Sequence, residues 1–275
     1  NKMSKLDNDG FQVVSSKRAS KNKSTKLSHQ SQEFWKREIE INTESCHRRI
    51  ISAREDVLAS QYLIDVLKAV SNIVGCRNIV EIICFGLGRI GECNISRYQL
   101  ALLLCLKQKL NPNKVLVHDP VFTSQECDVL KQLGLEIIKE NNEGSYVISD
   151  QEVTLVYLPH CPKQLTNNFL WSNWSLKLEN CILLCNSFST LTENQPSREL
   201  SVEVPYIYKI CQYLSEVSID NSFTFKDIFN DTSFHFFPKE KLNTVPASFW
   251  ADRQKPEYKE TEEFITSLMF NNLKI

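Results

Sequence analysis

Residues Ile79 to Phe85 form a run rich in β-branched residues that leads straight into Gly86-Leu87-Gly88. Such a run suits a strand buried on both faces, which is the habit of parallel sheets. The glycines then let the backbone leave the strand sharply and approach another group closely. A chain built around this feature has few options, because a doubly buried strand needs a layer of helices on each side.

The segments downstream keep that rhythm. Ser96 with Gln99 reads as a capping box, and the helix after it runs to about Leu110, where Asn111-Pro112 stops it. Lys114 to His118 is a second strand, ending in Asp119-Pro120. Thr123 with Glu126 makes another capping box, and Gly134 closes that helix. Leu135 to Ile138 reads as a third strand, Val153 to Leu158 as a fourth and Cys181 to Cys185 as a fifth. A polar helix covers Lys163 to Leu170. Beyond Phe188 the rhythm weakens, with a helix over Tyr206 to Leu214 and a late strand over Thr232 to Phe237. Strands alternating with capped helices argue βαβ units, and right-handed crossovers place the strand ends on one edge. The expected fold is α/β, a Rossmann-like three-layer arrangement with a mostly parallel sheet.

Upstream, apolar residues recur at helical spacing over 32–74, among them Phe34, Trp35, Ile39, Tyr62, Leu63, Val66 and Val70. Residues 1–30 show no period and read as a basic disordered tail. Residues 1–28 hold seven Lys and Arg against Asp7 and Asp9, a net of +5, while the whole chain carries −1. Lys17-Arg18 with Lys21, Lys23 and Lys26 suits a nuclear import signal, a weak nucleic-acid contact or a solubilising tail. The near-neutral total argues against nucleic acid as the main partner. The expected division is a tail at 1–30, helices at 31–75 packing on the sheet, an α/β domain at 76–245 and a charged, peripheral extension at 246–275. The chain opens on Asn1 with Met3 following, which suits a cloned or fragmentary start.

The ten cysteines include several inside apolar runs, as free core thiols do in a reducing compartment. No spacing suits zinc, so no metal is expected. The longest apolar run, Leu100 to Leu106, is far too short to span a bilayer, and the N-terminus lacks the apolar segment of a signal peptide.

The candidate chemistry lies at the strand ends. Gly86-x-Gly88-x-x-Gly91 matches a dinucleotide fingerprint, with Asp119 as the acidic partner for a ribose hydroxyl. Asp119 follows Gly91 by 28 residues, against about 20 in the fingerprint. The plain alternative is a tight strand exit with Asp119 capping the next turn. Pro159-His160-Cys161-Pro162 ends the fourth strand. A histidine beside a cysteine can activate a thiol, and a Cys-Pro thiolate suits regulatory heme ligation. The plain alternative is a loop fixed by hydrogen bonds from His160. Asn173 and Asn186-Ser187 add polar groups expected near the same edge. The crevice candidates are therefore Gly86, Gly88, Asp119, Pro159, His160, Cys161, Asn173, Asn186 and Ser187. Heme on Cys161 or His160, or an adenine-containing ligand, is the cofactor class these residues suggest. No catalytic set emerges from spacing, and the balance favours a non-enzyme.

Several segments, taken in order, carry a resemblance. They are Phe85-Gly86-Leu87-Gly88, Ser96-Arg97-Tyr98-Gln99-Leu100-Ala101, Asp119-Pro120-Val121-Phe122, Leu158-Pro159-His160-Cys161, Asn173-Trp174-Ser175, Cys185-Asn186-Ser187-Phe188 and Phe229-Asn230-Asp231-Thr232-Ser233. Together they resemble the sensitivity-to-red-light-reduced-like domain family, over roughly residues 75 to 240. Cys185 departs from the glycine expected there. The resemblance implies a regulatory protein of cytoplasm and nucleus, acting with protein partners in circadian clock gene expression and in regulation of heme biosynthesis. The alternatives are a Rossmann-like enzyme binding S-adenosylmethionine or a dinucleotide at Gly86, Gly88 and Asp119, and a structural adaptor with no ligand.

Overall fold

The computed structural model describes residues 41–258. The basic tail, the helical positions Phe34, Trp35 and Ile39, and the charged residues beyond 258 lie outside the described residues.

Two helices lead in. Helix α1 (Thr43–Leu58) starts at Asn42, whose side chain accepts from the Ser45 amide at 2.8 Å. It buries Cys46, Ile50, Ala53 and Val57, one stripe at helical spacing. Helix α2 (Gln61–Val74) is capped by Ser60, buries Tyr62, Leu63, Val66 and Val70, and ends at Gly75. The stretch expected to be helical through to residue 74 thus breaks at Ala59-Ser60, and the two axes differ by 71°. No single helix among the described residues is long and apolar enough to cross a membrane.

The remaining elements are β1 (Ile79–Phe85), α3 (Asn94–Leu110), β2 (Lys114–His118), α4 (Ser124–Gln132), β3 (Glu136–Ile137), β4 (Val153–Leu158), α5 (Lys163–Ser172), β5 (Cys181–Asn186), α6 (Phe188–Asn194), α7 (Ser197–Glu203), α8 (Pro205–Ile210), β6 (Ser215–Ser218), β7 (Thr232–Phe236), α9 (Lys239–Leu242) and α10 (Ala247–Ala251). The seven strands stand in the order β3-β2-β1-β4-β5-β7-β6. The first five are parallel, while β7 runs antiparallel to β5 and β6 antiparallel to β7. The expected mostly parallel α/β sheet is therefore present.

Each strand sends alternate side chains to the two faces. On β1, Ile82 and Cys84 join one core with α1, α2, α3 and α4. Ile83 and Phe85 join the other, with residues of α5, α7 and α8. The result is the three-layer arrangement.

Two local readings change. The Thr123 and Glu126 box forms as expected, with both reciprocal bonds present. The Ser96 and Gln99 box does not. Helix α3 begins at Asn94, with Cys93 as its cap, so Ser96 already lies inside the helix. The Gln99 amide instead donates to the Ile228 carbonyl at 3.3 Å and to His160 at 3.2 Å. The expected helix over Tyr206 to Leu214 is shorter: α8 ends at Ile210, a 3-10 turn covers Cys211–Tyr213, and strand β6 follows.

Residues 246–258 lie at the surface with no buried side chain, and contacts to α5, Trp174 and α8 tie them to the domain. Phe249 stacks on Trp174 at 4.8 Å, and the Trp174 indole donates to the Phe249 carbonyl at 2.9 Å. Tyr206 Oη donates to the Gln254 carbonyl at 2.5 Å, and Asn167 donates to Tyr258 Oη at 2.7 Å. Trp174 is 1% exposed. Its replacement, Trp174→Ala, is expected to cost about 3–5 kcal/mol. A chain truncated after Val245 is expected to melt well below the full chain, both read by thermal denaturation.

Candidate functional site

In an open parallel sheet, ligands bind where the strand order reverses, outside the carboxyl ends. Here that point lies between β1 and β4. It is already filled. Gly86 has φ +75°, and a Cβ built there would stand 2.3 Å from Cys161 Sγ. The Cys161 thiol donates to the Phe85 carbonyl at 3.0 Å, with the Pro159 carbonyl as a second, longer acceptor at 3.6 Å. Burial pushes this thiol well above its ordinary pKa, and the nearby Asp119 and Cys185 raise it further. Cys161 is therefore a protonated plug.

The glycine turn is also closed by its own side-chain partners. The Gly88 amide donates to Asp119 Oδ2 at 2.7 Å, and the Val121 amide to Asp119 Oδ1 at 2.9 Å. The Gly91 amide donates to Glu126 Oε1 at 2.9 Å. In the dinucleotide fingerprint those amides face a pyrophosphate and the acid grips a ribose. Here amide and acid bond each other. Burial raises the Asp119 pKa, and its two amide donors act in the opposite direction.

His160 sits in the left-handed region at φ +48°. Its Nδ1 is 3.2 Å from Gln99 Nε2, and its Nε2 is 3.0 Å from the Asn230 carbonyl. Since the Gln99 amide can only donate and the carbonyl can only accept, the proton sits on Nε2. The ring pins the end of β4 to α3 and to the chain before β7. Both ring nitrogens of His160 are engaged, and the half-buried Cys161 turns its thiol to the Phe85 carbonyl, so neither presents a free axial ligand to heme in this arrangement. Among the described residues no group of three His, Cys, Asp or Glu side chains has a metal-holding arrangement.

An open cleft lies one strand over, between β4 and β5, with a volume of about 750 Å³. His160, Cys161, Asn186 and Ser187 line it, together with Lys163, Thr166 and Asp231. Gly86, Gly88, Asp119 and Pro159 stand behind it, on the far side of Cys161 or in the backbone it bonds. Asn173 is not at this edge. Helix α5 starts at the carboxyl edge and runs back, so its C-cap, Asn173, is buried at the other end. There it accepts from the Ile148 amide at 3.0 Å and donates to the Tyr146 carbonyl at 2.7 Å.

Sequence reasoning missed two residues beside the cleft. Glu216 of β6 accepts from Ser187 Oγ at 2.5 Å and from the Ser189 amide and hydroxyl at 3.0 and 2.7 Å. His235 of β7 is fully buried, takes the Phe188 amide on Nε2 at 3.1 Å, and has Nδ1 3.4 Å from Cys185 Sγ. This network fixes the turn after β5 that forms one wall. Desolvation acts to raise the Glu216 carboxyl, but the bonds it accepts from Ser187 and Ser189, with His235 nearby, outweigh it and hold the group well below the usual range. Burial and the Glu216 charge push the Cys185 thiol up.

A Rossmann-like α/β domain with a carboxyl-edge cleft displaced from the glycine turn is the class these features define. The chain belongs to the SRR1 domain family, whose model matches residues 65–236, more than half of the chain. It is similar to an SRR1-like protein of Drosophila melanogaster, at 29% identity over 82% of this chain and 81% of the relative. An SRR1-like protein of Mus musculus is 39% identical over 48% of this chain and 53% of the relative. The Arabidopsis thaliana protein SENSITIVITY TO RED LIGHT REDUCED 1 is 27% identical over 63% of this chain and 64% of the relative.

Gly86→Ala is expected to destabilise by more than about 2 kcal/mol, because it combines a strained φ with a clash on the Cys161 sulfur. The double change Gly86→Ala with Cys161→Ala is expected to recover part of that loss in urea unfolding, as residues in contact do. Glu216 has a depressed folded-state pKa, so its contribution is complete above the unfolded carboxyl value of about 4.3 and is lost as pH falls towards its lower folded value. Glu216→Gln is expected to cost about 1.5–3 kcal/mol at neutral pH. Its stability should then fall less steeply than that of the wild type below about pH 4.

Proposed function

We propose that the protein is a regulator, acting with protein partners in the cytoplasm and nucleus on circadian clock gene expression and on heme biosynthesis, with the β4/β5 cleft holding a small ligand. The observation that carries this reading is how the reactive groups at the edge are used. The Cys161 and Cys185 thiols are held protonated by burial, and the His160 ring and the Glu216 carboxylate tie loops together. Groups with the chemistry to attack or to take a proton are occupied in shaping the wall, which suits sensing better than turnover. The name of the Arabidopsis relative, which refers to sensitivity to red light, supports a signalling role.

The enzyme alternative at Gly86, Gly88 and Asp119 would require breaking the 2.7 Å bond from the Gly88 amide to Asp119. An adaptor without ligand fits the plugged β1/β4 crevice but leaves the β4/β5 cleft without a use.

The test is complementation. In animal cells depleted of the endogenous protein, the wild-type chain should restore the amplitude of a clock-gene reporter and the level of heme-synthesis transcripts. A chain whose cleft is narrowed by Asn186→Leu should restore neither while accumulating normally. Unchanged rhythm and transcripts in depleted cells would overturn the reading.

A further inference from the structure

We infer that the β4/β5 cleft binds a small ligand through a single phosphate group seated on the N-terminus of α5. This deepens the reading that the cleft holds a ligand, and it names the ligand class. Helix α5 is ten residues long, and its cap, Pro162, supplies no side-chain acceptor. The amides of Lys163 and Gln164 therefore find no acceptor on the cap, and the positive end of the helix is directed at the cleft.

Two side chains on the helix extend that donor set. Lys163 lines the cleft, and its ammonium donates to Gln195 Oε1 at 2.6 Å and to Glu203. An ammonium has three protons, so one remains. Thr166, three residues on and thus on the same face, also lines the cleft. It is only 5% exposed, and its hydroxyl has no hydrogen-bond partner among the described residues. The little surface this side chain keeps opens on the cleft, so its hydroxyl is free to donate to or accept from a group that sits there. Across the cleft, at the end of β5, the half-buried Asn186 side chain is likewise unpartnered among the described residues.

Amides at a helix start, an ammonium and a hydroxyl form the donor set of a phosphate site. The cleft volume of about 750 Å³ leaves room for the rest of a small molecule. Charge limits the ligand. The lining carries one carboxylate, Asp231, and Glu203 already shares Lys163, so one phosphate is favoured over a chain of them.

Thermal melting and calorimetric titration of the full chain decide the matter, with inorganic phosphate, ribose 5-phosphate, adenosine monophosphate and adenosine as probes. Sodium chloride at equal ionic strength is the control. At about a hundredfold excess over the dissociation constant, a phosphate-bearing probe should raise the melting temperature by roughly 5–10 °C, and adenosine should not. Thr166→Val keeps the volume and removes the hydroxyl. It should melt like the wild type without ligand and bind the same probe at least tenfold more weakly. Thr166→Ser should retain binding, and Lys163→Met should lose it. The inference is overturned if no phosphate-bearing probe exceeds the chloride control, if adenosine alone binds, or if Thr166→Val binds as tightly as wild type. Should Thr166→Val fail to fold, equal binding by wild type and Lys163→Met overturns it. Loss of phosphate binding alongside intact complementation in cells would remove the ligand class and leave the regulatory reading standing.

Discussion

The contact between Cys161 and Gly86 joins the two strands on which the sheet is organised. Strand β1 lies between β2 and β4, and chain order reverses across the β1/β4 pair. At its carboxyl end the Cys161 side chain occupies the space a Gly86 side chain would need, and its thiol bonds the last carbonyl of β1. The Cys161 sulfur thus stands against Gly86, where a group approaching that side of the turn would have to sit. The Gly88 amide then finds its acceptor within the protein, in Asp119. A turn with the sequence of a nucleotide cradle thereby becomes a brace between β1 and the end of β2.

The opening moves to the next pair of strands for the same reason. Between β4 and β5 the walls are the start of α5 and the turn after β5. The second wall is rigid because Glu216, Ser187, Ser189 and His235 tie three strands and a helix start together. A buried carboxylate with several donors is strongly favoured in its charged form, and removing any one partner leaves the others under-satisfied. The cleft is therefore shaped by a polar network behind it as much as by the residues that face it.

Much of the fold was legible because it follows from local pattern. Strands β1, β2, β4 and β5 are short apolar runs bounded by turn residues, and each lies where its run does. Strand β6 was not legible: Ser215-Glu216-Val217-Ser218 has a single apolar residue, and such an edge strand is defined by pairing with β7. The two capping patterns were equivalent as sequence, yet only Thr123 and Glu126 form one. Ser96 and Gln99 lost theirs because α3 starts earlier and Gln99 finds partners at Ile228 and His160, residues far along the chain. At the site, His160, Cys161, Asn186 and Ser187 could be placed together because parallel crossovers bring strand ends to one edge. Asn173 could not be excluded without knowing the length of α5.

The sequence by itself determined the layered α/β architecture, the strand ends that meet at one edge, and the family, since these rest on residue patterns within each segment. Only the tertiary structure decided what that edge can hold. Whether Gly88 presents its amide to a ligand or to Asp119, and whether Cys161 faces solvent or the back of Gly86, depends on contacts between residues 31 and 75 positions apart. Hydrogen bonds and close packing are settled by distances of tenths of an ångström, and no local pattern encodes those distances.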